Sequence, residues 1–583
     1  MVITTSSLFL KSLADYGITH AFVNWGSDHP AILEELQRQR VSSGKTDIEI
    51  ITCPNEMVAL SAAQGYAQVT RKPAAVLIHV DVGTQALAGA INNVDRCRTP
   101  VLIYAGASPF SQDGEVKGSR NEYIMWYQDV PDQSAIVRQY MRFTSQISSG
   151  KSVHQVVGRA LLSATSEPKG PVYLWARRET MEEEFSENAM VNLNQASVLS
   201  PVEPMALSPN AVKTIVEGLV NAKAPLILTT YVGRNPASVE RLVALSDALA
   251  IPIYLSCPTN LNFPSTHPHL VGISIGNDKN EWLREADVIL IIDSDIPFIP
   301  VHNRPRRDAK IFHLDVDVLK DGMGMFFIDA TLRCKVDSEV ALDQILASLP
   351  ADLEQSALIS TRVGKLAEHG RNRITEMDTL ENEHLLSRRI TVQALCHTLR
   401  GLLPKNTLIL NESTTNLPTV WAHMRPDIPG SMFTSGSSSL GWGLGAAIGA
   451  SLGNEVAKVG YDFIALIVGD GSYIFGVPSA AYWIARRYKT PFLTIVLNNG
   501  GWNAPKMSML SVYPSGMGSQ ASLNELSVGF GPDAPHYANI AVAAGGAWGA
   551  QVKSFDEMEN TLAKAIQTVK EEKRCAVVDC FIE

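Results

Sequence analysis

The sequence predicts an α/β protein of three doubly wound parallel-sheet domains, spanning residues 1–182, 205–350 and 385–583. Three observations predict it. Short apolar runs recur along the chain with helical stretches between them, the pattern of strands buried on both faces beneath covering helices. Two polar stretches, Glu179 to Pro204 and Pro350 to Arg388, break that rhythm. A chain of 583 residues also exceeds what one hydrophobic core supports.

In the first domain the apolar runs are Ala75 to His79 and Val101 to Tyr104. Ahead of them, Glu56 opens a helical stretch whose small residues, Ala62, Ala63, Gly65 and Ala67, imply close packing on a neighbouring helix. The second domain carries Leu226 to Leu228 and Val288 to Asp293. The break before the third domain is charged and helical in character, with Glu368, Arg371, Arg373, Glu376 and Glu381. Four runs mark the third domain: Thr407 to Leu410, Phe463 to Val468, Phe492 to Leu497 and Ala576 to Val578.

A net charge of −10 with scattered basic residues argues against nucleic acid or an anionic membrane as partner. No apolar run approaches a membrane span, and Met1 to Ser7 lacks the basic region of an export signal. Seven cysteines, spread from Cys53 to Cys580 without a paired spacing, read as reduced packing residues. A cytoplasmic protein acting on a small molecule is the expectation.

The third domain carries the chemistry. Gly469, Asp470, Gly471 and Ser472 follow one buried run, and Asn498, Asn499, Gly500 and Gly501 follow the next. Parallel sheets bind ligands at this edge. Asp470 and Asn499 would offer a carboxylate and an amide oxygen to one crevice, which suits Mg²⁺. The glycines let backbone approach a diphosphate, and the helix start supplies free N–H groups.

This paired motif resembles the metal motif of thiamine diphosphate-dependent enzymes. The resemblance implies that Asp470, the Asn499 side chain and the Gly501 carbonyl hold Mg²⁺. It places Gly469, Gly471 and Ser472 on thiamine diphosphate and makes the three domains pyrimidine-binding, middle and diphosphate-binding. Glu56 alone reads as a glutamate favoured by the helix dipole. By the resemblance it contacts the aminopyrimidine ring and activates the cofactor. Because Glu56 and Asp470 then serve one cofactor from different subunits, the resemblance implies a homodimer, extended to a homotetramer.

The likeness is nearest to the benzoylformate decarboxylase-like branch, through Asn411 to Thr414, Trp421 and the run Ser439 to Gly449. Glu412 is thereby placed at the cofactor, and Leu440 as the apolar wedge that bends it. Ser27 aligns with a catalytic serine and His79 with a catalytic histidine. His29 adds a titratable group beside Ser27, and His302 falls roughly where a second active-site histidine is expected. Trp25 replaces the usual proline, and Asp28 and Asp81 add carboxylates near Ser27 and His79. The glutamate motif of pyruvate decarboxylase-like enzymes after Asn499 is missing; Trp502 stands there instead.

The implied reaction is decarboxylation of a 2-oxo acid. The alternative is an acyloin-forming carboligase or lyase of acetolactate synthase, benzaldehyde lyase or 2-hydroxyacyl-CoA lyase type, acting on 2-oxo acids or aldehydes. The fold is common to all of them. Pro225 to Asn235 could face an adenine nucleotide, but its single glycine is weak evidence and the segment reads as structural.

Overall fold

The computed structural model describes residues 2–186, 200–276, 278–325, 327–351 and 356–583. Part of the first break, 187–199, and Glu354 in the second lie outside the described residues. Three six-stranded sheets, parallel throughout, organise the chain. A short antiparallel pair, β1 (Ile3–Thr4) with β8 (Glu184–Phe185), closes the ends of the first.

The first sheet contains β2 (His20–Asn24), β3 (Glu49–Thr52), β4 (Ala74–Ile78), β5 (Val101–Ala107), β6 (Phe143–Gln146) and β7 (Val172–Arg177), in the order β3-β2-β4-β5-β7-β6. The second contains β9 (Pro225–Thr229), β10 (Ile253–Ser256), β11 (Leu270–Ser274), β12 (Val288–Ile292), β13 (Lys310–Asp315) and β14 (Leu332–Lys335), in the order β11-β10-β9-β12-β13-β14. The third contains β15 (Thr407–Glu412), β16 (Met432–Thr434), β17 (Phe463–Gly469), β18 (Leu493–Asn498), β19 (Trp548–Val552) and β20 (Ala576–Phe581), in the order β16-β15-β17-β18-β20-β19. The first and third sheets thus share one winding. Each reverses direction beside its first strand, at β2/β4 and at β15/β17. Crevices for ligands open at the carboxyl ends of strands flanking such a reversal.

Phe22 to Asn24 finish β2, which β3 and β4 bond from both sides, and Ser27 lies in the loop that follows. His79 is the N-cap of the helix Val80–Arg96 and directly follows β4.

The helix Glu56–Thr70 packs on the helix Trp442–Ala457, joining the first and third domains. Glycine is what permits the approach. A methyl on Gly449 would fall 1.8 Å from the Ala62 carbonyl oxygen. The charged second break is one helix, Ala357–Leu386. Its buried Glu381 anchors it to the third domain, accepting from His397 and His423 at 2.7 Å and from Arg400 and Arg425 at 2.8 Å. Burial opposes that charge, but the hydrogen bonds from Arg400, His397 and His423 outweigh it and hold the carboxyl well below its usual range. Among the described residues no helix is long and apolar enough to cross a membrane.

Candidate active site

One half of the site lies at the carboxyl edge of the third sheet. β17 ends at Gly469, and Asp470 begins the short helix Asp470–Phe475. Asp470 Oδ2 accepts the N–H groups of Gly500 and Gly501 at 2.9 Å, and Oδ1 accepts that of Gly471 at 2.7 Å. Burial raises its pKa to about 6 against those bonds. The turn after β18 is braced from below: Asn498 Nδ2 donates to buried Asp579 at 2.9 Å, and Gln551 donates to the other Asp579 oxygen. This bracing went unforeseen, because Asp579 lies within an apolar strand 81 residues away.

Asn499 Oδ1 is buried and has no hydrogen-bond partner in the protein. A buried acceptor left open beside a carboxylate suits a hard cation. Both residues line a cavity of about 390 Å³, together with Gly469, Gly471, Ser472 and Gly501. The donors therefore fit Mg²⁺, and the glycine-rich wall fits a diphosphate. Trp502 closes one side of this cavity, and Ser472 reaches Thr414 at 3.3 Å.

Leu440 is half-buried and lines both this cavity and a neighbouring one of about 680 Å³. It is not a core leucine. Glu412, expected at the cofactor, lines the larger cavity and also holds the backbone behind Leu440. Its two oxygens accept the N–H groups of Gly441, Trp442 and Gly443 at 2.6, 3.1 and 2.7 Å. It caps the helix behind Leu440, and burial raises its pKa to about 7.

The other half lies at the carboxyl edge of β2, β4 and β5. Glu56 is the first residue of its helix, which Asn55 caps by accepting the Val58 N–H at 3.1 Å. Asn24, the last residue of β2, donates to Glu56 Oε1 at 2.9 Å. A Cβ on Gly83 would stand 3.3 Å from Glu56 Oε1 and 3.6 Å from His79 Cβ, so Glu56 and His79 flank one helical turn. His79 Nδ1 is hydrogen-bonded to buried Asp28, whose other oxygen accepts the Val80 N–H at 3.2 Å. Burial lowers the imidazole pKa, but Asp28 outweighs burial and the net shift is upward.

His29 lies beside Asp28. It is buried beneath the loop, its Nδ1 accepts the Gly26 N–H at 3.1 Å, and burial lowers its pKa. It braces the loop. Ser27 is half-buried in that loop, one residue before Asp28. His302 follows β12 in a turn and lines neither cavity. The cavity holding Asp470 is lined by residues of the third domain alone, without Glu56 or His79.

Known proteins bear on this arrangement. Residues 3–136 match the N-terminal TPP binding domain of thiamine pyrophosphate enzymes, 212–322 the central domain, and 413–580 the C-terminal TPP binding domain. The chain is 23% identical to a benzoylformate decarboxylase of Pseudomonas aeruginosa, over 86% of this chain and 87% of that one. It is 21% identical to a 2-hydroxyacyl-CoA lyase of Saccharomyces cerevisiae, over 100% and 97%. Among solved structures, the thiamine diphosphate-dependent 4-hydroxybenzoylformate decarboxylase of Rhodococcus jostii RHA1 superposes with a TM-score of 0.77 at 20% identity, covering 100% of this chain and 99% of that one. With all three domains matched in order, the chain belongs to the thiamine pyrophosphate enzyme family, and its cofactor is thiamine diphosphate.

Proposed function

We propose that the protein is a Mg²⁺-dependent decarboxylase of 2-oxo acids that carry an apolar side chain. The observation that carries this reading is the placement of Glu56 and an Asp28-bonded His79 around one helical turn. When bound, thiamine diphosphate supplies the electron sink for the pair left by the breaking C–C bond. Asp470, Asn499 and Gly501 would hold the metal. Gly469, Gly471 and Ser472 would face the diphosphate, with Leu440 beneath the bend. Glu56, held by Asn24, would contact the aminopyrimidine ring and hold a proton there. Ser27 hydrogen-bonds the substrate carboxylate, and His79 delivers the proton that replaces it.

The cavity of about 680 Å³ supports the substrate class. Its wall includes Pro258, Ile275, Ile296, Met323 and Leu417, and it meets the cofactor cavity at Leu440. A methyl group would leave most of it empty. Aromatic or long aliphatic 2-oxo acids suit it better than pyruvate.

Two half-sites on one chain support assembly from two copies, with a tetramer as a pair of dimers. Tyr123, Trp126 and Tyr127 in the first domain, and Tyr513 and Met517 in the third, are exposed aromatic or apolar side chains. All seven cysteines are free, which supports the cytoplasm.

A carboligase or lyase is the second reading. The same large cavity has room for a second substrate, and 2-hydroxyacyl-CoA lyases are among the relatives. A screen of purified enzyme with thiamine diphosphate and Mg²⁺ separates them. Pyruvate, longer aliphatic 2-oxo acids and benzoylformate are offered while CO₂ and organic products are followed. Free aldehyde with CO₂, fastest from bulky acids, is expected. An acyloin or acetolactate product moves the assignment to carboligase. No CO₂ from any acid overturns the decarboxylase.

A further inference from the structure

We propose that Asp28 is the positioning residue of His79: its carboxylate holds the proton on Nδ1 and leaves Nε2 as the nitrogen that meets the substrate. This rests on the reading that His79 delivers a proton. The pairing is built into three adjacent strand ends. Asp28 follows β2, His79 follows β4, and Gly106 lies near the end of β5. Glycine lets both side chains lie against backbone. A methyl on Gly106 would fall 1.6 Å from Asp28 Oδ2, and one on Gly26 would fall 1.9 Å from His79 Nδ1. The Val80 N–H fixes the second carboxylate oxygen at 3.2 Å.

The competing partner is excluded by its own bonding. His29 Nδ1 lies 3.2 Å from Asp28 Oδ1 but accepts the Gly26 N–H, so no proton stands on that nitrogen to share with Asp28. Asp28 therefore accepts from His79. Of the groups facing His79, Asp28 from the loop after β2, Gln128 from the segment after β5 and Asp81 on its own helix favour the imidazolium. Burial opposes it, buried His29 is uncharged, and Glu56 borders Gly83. In the step, the proton leaves Nε2 for the substrate carbon that has lost its carboxylate. The Nδ1 proton stays shared with Asp28, and water restores the proton on Nε2.

Two readouts test this on the full-length enzyme loaded with thiamine diphosphate and Mg²⁺. The first needs no turnover. Diethyl pyrocarbonate modification of His79 is followed across pH by peptide mass spectrometry in the wild type and in Asp28→Asn, which keeps the side-chain shape. A wild-type midpoint above the ordinary imidazole value of about 6.5, moving down in Asp28→Asn, is expected. A wild-type midpoint at or below about 6.5 overturns the proposal whether or not the variant folds, as does a midpoint that Asp28→Asn leaves in place. The second readout is kcat. Asp28→Asn should lose about tenfold and shift the alkaline limb of the pH profile down, while adding no loss to His79→Ala. Additive losses overturn the proposal. If no 2-oxo acid turns over, the modification midpoints still decide the pairing, and only the functional reading fails.

Discussion

Glu56 and His79 both border Gly83, yet they should fail in different ways when substituted. Glu56→Gln keeps an oxygen for Asn24 to bond, so cofactor binding by calorimetry should persist while turnover falls by about 100-fold or more. His79→Ala should also bind cofactor and slow product formation by about 100-fold; retained activity would remove it from the site. Asp470 and Asn499 were legible because each ends a long apolar run, where a strand must stop at a ligand-facing edge. Asp28 was visible as an added carboxylate, but its role was not, since its partner lies 51 residues on in another strand. The capping role of Glu412 was hidden for a related reason. A carboxylate that caps a neighbouring helix from 29 residues away looks, in sequence, like one that meets a ligand.

At the level of elements, the strands recognised in the sequence are the central ones. β12, β17 and β18 are buried along nearly their whole length, so they read as continuous apolar runs. The edge strands β3, β6, β14 and β19 escaped, because half-exposed positions interrupt their apolar character. The close helix contact implied by Gly65 is real, and its partner is the Trp442–Ala457 helix. Gly449→Val should push those helices apart and cost about 1–3 kcal/mol in denaturant unfolding. The helix Ala357–Leu386 has its own pH signature. Glu381 has a folded pKa below its unfolded value of about 4.3, so its stabilisation is full above that pH and is lost as pH falls below it. Glu381→Gln should therefore destabilise the protein at neutral pH and flatten the acid limb of its unfolding midpoint; an unchanged limb would show that the anchor carries no charge-linked stability.

Across the whole molecule, the number and order of domains follow from the alternation of strand and helix, but the relation between sheets does not. Local patterning carries no record that the first and third sheets share one winding, with matching crevices at β2/β4 and β15/β17. That shared winding supports the proposal of two half-sites, one with Glu56 and His79 and one with Asp470 and Asn499. The most direct measurement co-expresses Glu56→Gln with Asp470→Ala and follows CO₂ release from the best 2-oxo acid of the screen. Each variant alone should be inactive. Half of randomly paired dimers would be mixed, each with one of two sites intact, so about a quarter of wild-type activity should return. No recovery in a sample shown to contain mixed dimers would contradict a site built from both edges, and no CO₂ from the wild type would contradict the decarboxylase itself.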